Sequence, residues 1–414
     1  METKLADWIK DTPQGQEAQA ILRSCVHCGF CLATCPTYQL LGDELDGPRG
    51  RIYLIKQVLE GAEVTRTTQL HLDRCLTCRN CETTCPSGVQ YGRLIDIGRD
   101  VVDQRVPRDG ADRMKRRILL EVLPRPQLFG AAMKLGRMMR PLLPGALKSK
   151  VPAATRPLPW PTTRHQRKML VLAGCVQPGM APSINAATAR VLDHFGIQLN
   201  EVARAGCCGA LRYHLTEQEA GLDDMRRNID AWWPDVQQGV EAIVMTASGC
   251  GAMVKEYGHL LRDDPRYAQK AKRISELTLD VCEVMTAELA QLDEKLAATW
   301  PDDLPKTIAF HSPCTLQHGQ QIRGVTEKIL SAAGFELQPV LDAHLCCGSA
   351  GTYSVLQPGL SEQLRNNKLE NLEASRPQAI ATANIGCLTH LQSGTATPVT
   401  HWIELLERRI AAVT

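Results

Sequence analysis

Along the first hundred residues apolar positions recur at three- and four-residue spacing and strand signals are absent. The clearest case is Ile52-Tyr53-Leu54-Ile55-Lys56-Gln57-Val58-Leu59, opened by Gly47-Pro48-Arg49-Gly50-Arg51 and closed by Gly61, which predicts a helix. Residues 1–104 therefore read as a helical domain. Over 105–165, Pro124, Pro126, Pro141, Pro144, Pro152, Pro157, Pro159 and Pro161 break the chain into short pieces, as expected of a linker. One piece, 127–143, is amphipathic if helical. Leu128, Phe129, Ala132, Met133, Leu135, Met138 and Met139 supply apolar surface, and Lys134, Arg137 and Arg140 supply charge. From Lys168 the pattern changes again, to short apolar runs with helical periodicity between them, as at 186–195 and 325–333. Met169-Leu170-Val171-Leu172-Ala173-Gly174 leads to Cys175, and Ile308-Ala309-Phe310-His311-Ser312-Pro313 leads to Cys314. Each reads as a buried strand delivering a cysteine at its carboxyl end. The alternation predicts α/β modules with a mainly parallel sheet, one over 166–300 and another over 301–414, so the fold class is α + α/β.

The two modules repeat each other. Cys175, Cys207, Cys208 and Cys250 are matched by Cys314, Cys346, Cys347 and Cys387, at an offset of 139 residues for the first three and 137 for the last. A shared offset at four cysteines marks an internal duplication. Each module holds the triplet Cys-Cys-Gly, ending at Gly209 and Gly348, and a second apolar run leading to Ser248-Gly249-Cys250-Gly251 or Ile385-Gly386-Cys387-Leu388.

The N-terminal domain carries eight more of the seventeen cysteines in two copies of C-x-x-C-x-x-C-x-x-x-C-P: Cys25, Cys28, Cys31, Cys35 before Pro36, and Cys75, Cys78, Cys81, Cys85 before Pro86. This run ligates cubane clusters in two-cluster ferredoxins, where the fourth cysteine serves the other cluster. The expected ligand sets are thus Cys25, Cys28, Cys31 and Cys85 for one [4Fe–4S] cluster, and Cys75, Cys78, Cys81 and Cys35 for the other. Zinc is the competing reading, but four cysteines within eleven residues plus a proline exceed what a structural zinc site requires. Disulfides fit less well: the opening Met1-Glu2-Thr3-Lys4-Leu5-Ala6-Asp7 is mixed and polar, unlike a secretory segment.

For the eight module cysteines two readings compete: a further iron–sulfur site, or buried thiols left from an ancestral one. Adjacent thiols do not readily form a relaxed disulfide. Cysteines at strand ends converge at the carboxyl edge of a parallel sheet, where α/β folds place ligands. Gly209 and Gly348 are expected to admit the backbone close to a cluster or flavin partner. Cys282 fits neither set and reads as core.

Composition is ordinary for a globular chain of 414 residues, at 44% hydrophobic and 22% charged. The net charge of +2 conceals a split. Residues 105–170 carry sixteen Lys/Arg against Asp109, Asp112 and Glu121, a local +13, which leaves about −11 elsewhere. Anionic headgroups, an acidic partner surface and plain solvation all remain open for this stretch. Few aromatics and no recognised motif argue against nucleic acid. No apolar run approaches the roughly 18 residues that span a bilayer.

The Cys-Cys-Gly halves resemble the modules of the heterodisulfide reductase B family. A two-cluster ferredoxin ahead of two such modules resembles the iron–sulfur subunits of flavin-linked dehydrogenases, those of glycolate oxidase, lactate utilisation and anaerobic glycerol-3-phosphate dehydrogenase among them. Gly47-Pro48-Arg49-Gly50-Arg51, Ser248-Gly249-Cys250-Gly251-Ala252-Met253 and Gly386-Cys387-Leu388-Thr389-His390 look most like the glycolate oxidase type. Where the reductase family often ends a module in C-x-x-C, this chain has Met253 and His390, so each module is one thiol short. The resemblance implies a flavin (FAD) on partner subunits that oxidise glycolate, with D-lactate a second candidate. It implies a quinone-type acceptor, and a cytoplasmic location, peripheral on the inner membrane. The chain shows no G-x-G-x-x-G dinucleotide fingerprint, no P-loop and no catalytic triad, so no catalytic residue is assigned and two-electron chemistry is expected on the partner. Two other readings make the chain a disulfide reductase acting at its Cys-Cys-Gly sites, or a zinc scaffold.

Overall fold

Proline and cysteine punctuate the N-terminal helices of the computed structural model, which describes residues 1–142, 151, 153, 158–296 and 299–411. The helices Pro13–Ser24, Pro36–Leu41 and Pro48–Leu59 each begin on a proline, whose missing N–H is no loss at a helix start. Pro36 thus starts a helix directly after Cys35. With Arg66–Asp73, Asn80–Thr84 and Tyr91–Arg105 these helices bury Leu22, Ile55, Leu59, Leu72, Leu94 and Ile95.

The segment expected to be a plain linker holds two further helices, Gly110–Val122 and Pro126–Met138. The first was not anticipated. Asp109 caps it by accepting from the Asp112 N–H. Arg108 and Arg116 pair with Asp73, and Arg108 also with Asp103, so part of the basic charge is neutralised against the preceding domain. The second is the amphipathic piece. Phe129 and Met133 are buried, with Gly179 of the first module against the Phe129 ring. Leu143, Pro144, Pro152 and Pro157 lie outside the described residues.

Two four-stranded sheets follow, parallel throughout. In the first, β1 (Arg167–Val171), β2 (Ile197–Glu201), β3 (Ile243–Met245) and β4 (Thr278–Asp280) lie in the order β2-β1-β3-β4. In the second, β5 (Thr307–His311), β6 (Glu336–Gln338), β7 (Ala379–Thr382) and β8 (Val399–His401) lie in the order β6-β5-β7-β8. The topologies are identical, as the cysteine offsets implied. The expected helices appear as Ser183–His194 and Val325–Ala332.

The modules share one core, which runs from Met169, Val171 and Ile184 to Ile308, Phe310 and Trp402. Their sheets meet at the carboxyl ends of β3 and β7. The Ser248 N–H donates to Ala383 O (3.2 Å), His401 Nε2 donates to Thr246 O (2.9 Å), and Ser248 Oγ lies 2.7 Å from Thr315 Oγ1. The N-terminal domain contacts both modules. Arg79 and Arg93 pair with Glu256, and His214 pairs with Asp96 on the first. Asn80 Nδ2 donates to His344 O, and Tyr353 OH donates to Arg74 O, on the second. Cys282 is fully buried in the helix Val281–Glu288.

Candidate iron–sulfur centres

The two N-terminal cysteine runs fold alike. His27 and Thr77, two residues after the first cysteine of each run, adopt left-handed φ of 56° and 53°. Gly29 and Arg79 follow the second cysteine with φ of 84° and 60°. These turns curl each run back on itself, so that its thiols converge. Left-handed backbone costs a non-glycine residue of order 1–3 kcal/mol, and here it recurs at matched positions of a ligand loop.

Two neighbouring cavities receive the thiols. Cys25, Cys28, Cys31 and Cys85 line one, with Ile52, Val89 and Arg49. Cys35, Cys75 and Cys78 line the other, with Leu76, Arg51 and Arg79. Cys81, Pro48 and Tyr91 line both, so a single layer of side chains separates them. Cys81 has Cys78, Cys75 and Cys35 among the thiols that act on it. The first cavity lies at the surface: Cys28 is exposed, as are Val26 (67%) and Phe30 (62%). The second is enclosed. Burial, followed by the thiol of Cys314, pushes Cys78 up, and burial does the same to Cys81. Burial pushes Cys31 up to about 11. As free thiols these groups are protonated at neutral pH, and a metal binds them by expelling protons. The Thr77 N–H (3.4 Å) and the Tyr91 hydroxyl (3.6 Å) donate to Cys75 Sγ, the kind of contact that tunes a cluster's potential. Five thiols on one wall and four on the other, Cys81 being common to both, with mostly apolar lining and N–H and O–H donors to sulfur, fit [4Fe–4S] clusters.

In each module the four cysteines form one chain of contacts, although they come from three separate segments of the chain. Cys175 touches Cys207, and Cys208 touches both Cys207 and Cys250. Cys314 Sγ lies 3.8 Å from Cys346 Sγ, and Cys347 touches both Cys346 and Cys387. Hydrogen bonds from Cys175 and Cys208 draw Cys207 well down, while those two thiols are driven up. Cys250 and Cys387 each sit in the first turn of a helix that follows the third strand, Ser248–Lys255 and Ile385–Gln392.

The glycines of the triplets admit a close approach within the chain itself. Gly209 and Gly348 have φ of 88° and 86°, and a Cβ there would lie 2.6 Å from Gly221 O and Ser361 O. Both contacts are to the chain's own helices. Met253 is buried among apolar side chains, and His390 Nε2 lies 3.1 Å from Ser361 Oγ.

The second module stands directly against the enclosed N-terminal cavity. Leu76 packs with Cys314, Cys346 and Tyr353, and Cys78 lies within electrostatic reach of Cys346. Sequence reasoning missed one residue here. His311, at the end of β5, brings a ring nitrogen, Cys347 Sγ and Cys387 Sγ within 4.8 Å of one another. The one available signal was a histidine closing an apolar run whose counterpart in the first module is Leu172.

Residues 21–89 match the 4Fe-4S dicluster domain family, and residues 169–255 and 308–392 each match the cysteine-rich domain family. The chain is 56% identical over 411 residues to the glycolate oxidase iron-sulfur subunit of Escherichia coli (strain K12), covering 99% of both chains. It belongs to the glycolate oxidase iron–sulfur subunit family. It is also 31% identical over 404 residues to a probable glycolate oxidase iron-sulfur subunit of Bacillus subtilis (strain 168), covering 90% of this chain and 89% of that one. The likeness to lactate utilization protein A of Bacillus licheniformis is more distant, at 28% over 54% of this chain and 90% of the relative. Membership makes iron–sulfur clusters the cofactors of this chain and sets zinc aside.

Proposed function

We propose that this chain is the electron-transfer subunit of a flavin-linked glycolate dehydrogenase, passing electrons from a flavin on partner subunits to a quinone-type acceptor at the cytoplasmic face of a membrane. One observation carries the reading: a continuous line of thiols. It begins at exposed Cys28, runs through the two cavities that share Cys81, and ends at the second-module cysteines facing Cys78. The clusters that such thiols hold carry one electron at a time. The grouping of thiols in the two cavities supports crossed ligation, Cys85 serving the first run and Cys35 the second. The module cysteines, Cys175, Cys207, Cys208 and Cys250 with Cys314, Cys346, Cys347 and Cys387, are proposed to hold further iron–sulfur centres. Exposed Val26 and Phe30 beside Cys28 offer an apolar face on which an electron-donating subunit docks.

Division of labour follows from this reading. The iron-loaded chain by itself should not oxidise glycolate with an artificial dye, and should gain that activity when its flavin subunits are added. Dye reduction by the chain free of flavin overturns the proposal.

No helix among the described residues is long and apolar enough to cross a membrane, so a membrane acceptor must be approached from the surface. The helices Gly110–Val122 and Pro126–Met138 supply the means. Met114, Ile118, Leu135, Met138 (79%) and Leu142 (82%) are exposed, as are Arg113, Lys115, Arg117 and Lys134. Arg137 and Arg140 are instead tied to the backbone, at Gly179 O and Val151 O. Exposed basic residues near an anionic surface each contribute about 1 kcal/mol, screened by salt. The chain should float with anionic liposomes at low salt, and less so at high salt or as Met138→Ser/Leu142→Ser. A chain that stays at the bottom at low salt, while Lys115→Glu/Lys134→Glu dissociates the flavin subunits, makes this stretch a subunit interface.

A further inference from the structure

The two modules are duplicates in topology and in all eight cysteines, yet they differ where the first strand ends. β5 closes on His311, and the residue 139 positions earlier is Leu172. Both are buried, at 2% and 3%. The imidazole is fixed: Nδ1 lies 3.0 Å from Thr382 Oγ1 on the neighbouring strand β7. With Nδ1–H donating there, the Nε2 lone pair is available, and Nε2 is buried without a hydrogen-bond partner. Such an orphaned nitrogen needs an explanation. Its surroundings supply one, because a ring nitrogen of His311 and the Cys347 and Cys387 sulfurs all lie within 4.8 Å of one another.

The pairing to Thr382 is what a metal-ligating histidine ordinarily has: the second ring nitrogen is bound, which sets the tautomer and the ring plane. The module also lacks the thiol that a closing C-x-x-C would provide. His390 occupies that position, but its Nε2 is directed to Ser361, 3.1 Å from Oγ and 3.3 Å from O, on the helix Pro358–Glu373. A nitrogen donor therefore reaches the thiols from the strand end rather than from the helix.

We propose that His311 Nε2 is a ligand of the iron–sulfur centre held by Cys314, Cys346, Cys347 and Cys387, while the first module, with Leu172 at this place, holds its centre by thiols alone. The inference rests on the reading of the modules as iron–sulfur sites. It divides two otherwise equivalent sites. The imidazole adds a neutral donor to one centre and none to the other, so two centres with the same four thiolates differ in coordination and in potential. The buried ammonium of Lys368, which donates to Asp342 O and acts on Cys346 and Cys347, adds positive charge on the same side. The second module, against which the enclosed N-terminal cavity is packed, thus holds the histidine-ligated centre next to that cavity, and the first module lies off that line.

The test uses the full chain with its flavin subunits, purified anaerobically with 57Fe and with either natural or 15N-labelled histidine. The wild type is compared with His311→Leu, which installs the first module's own residue. Iron above about eight per chain, the content of two four-iron clusters, is the first expected result. Pulsed EPR should show a nitrogen coupling that changes with the 15N label and vanishes in His311→Leu, with the N-terminal cluster signals unchanged. Mössbauer spectra, which register diamagnetic iron as well, should change for the same centre, and its midpoint potential should move. If His311→Leu does not accumulate, His311→Cys is read in its place: the nitrogen coupling disappears and the midpoint falls. Iron above eight with Mössbauer spectra and potentials indifferent to both substitutions overturns the ligand assignment alone. Iron at or below eight in the wild type overturns the reading of the modules as iron–sulfur sites, and the ligand with it.

Discussion

Cys35→Ser is expected to strip the cluster from Cys75, Cys78 and Cys81, forty to fifty residues away in sequence, and to spare the one beside it in sequence. Cys35 lines the enclosed cavity with those three thiols and is absent from the lining of the other. Its sulfur lies 3.3 Å from Thr37 Oγ1 and is buried, so a serine oxygen there has no room to recruit a substitute thiol. Iron should fall by about four per chain, and the EPR signal of the enclosed cluster should disappear. Cys28→Ser provides the reciprocal case, removing the signal of the surface cluster. Loss of the same signal in both variants would show that each run feeds only its own cluster, and crossed ligation would be wrong.

Asp46→Ala should cost about 3–5 kcal/mol, the range for removing one partner of a buried ion pair. The carboxylate is fully buried and takes Arg51 Nη2 (3.3 Å) and His71 Nδ1 (3.0 Å) on one oxygen, and Arg74 Nη1 (2.7 Å) on the other. Arg51 is itself buried, with Nε donating to His71 O (2.7 Å) and Nη1 to Thr37 Oγ1 (3.2 Å). Without Asp46 that guanidinium, on the wall of the enclosed cavity, loses its carboxylate partner, and Arg74 and His71 lose theirs. The urea midpoint of the anaerobic, cluster-loaded protein reads the loss. Asp46→Ala/Arg51→Met should recover part of it, because removing both charges is far less costly than stranding one. A single variant within 1 kcal/mol of wild type would mean that the site takes in water and that the pair is not a structural anchor.

Asp46 also bears on what the motif Gly47-Pro48-Arg49-Gly50-Arg51 does. In the sequence it appears as a helix start followed by two arginines of equal standing. In the fold Arg49 reaches out to Glu44 at the surface, whereas Arg51 turns inward to Asp46. Two residues along a helix is about half a turn, so the two side chains face opposite ways. Which side is interior depends on the helices Arg66–Asp73 and Tyr91–Arg105, and those are placed by distant parts of the chain.

Local spacing and repetition determined much about this protein. The cysteine runs follow from loop geometry over a dozen residues. The module strands follow from short apolar runs that end at a cysteine, and the duplication from a common offset. Each is a signal contained within one segment, or between two copies of it. The helix Gly110–Val122 was obscured by the prolines and charge around it, and its arginines gain their meaning from Asp73 and Asp103 in the previous domain. The packing role of Gly209 and Gly348 was illegible for a similar reason: the atoms they make room for belong to helices twelve or more residues onward. Tertiary structure alone decided which module faces the N-terminal cavities, since both carry the same four cysteines. It also decided that His311, one residue closing an apolar strand, comes to lie against Cys347 and Cys387, because β5, β7 and two loops converge at one carboxyl edge and no spacing along the chain encodes that convergence.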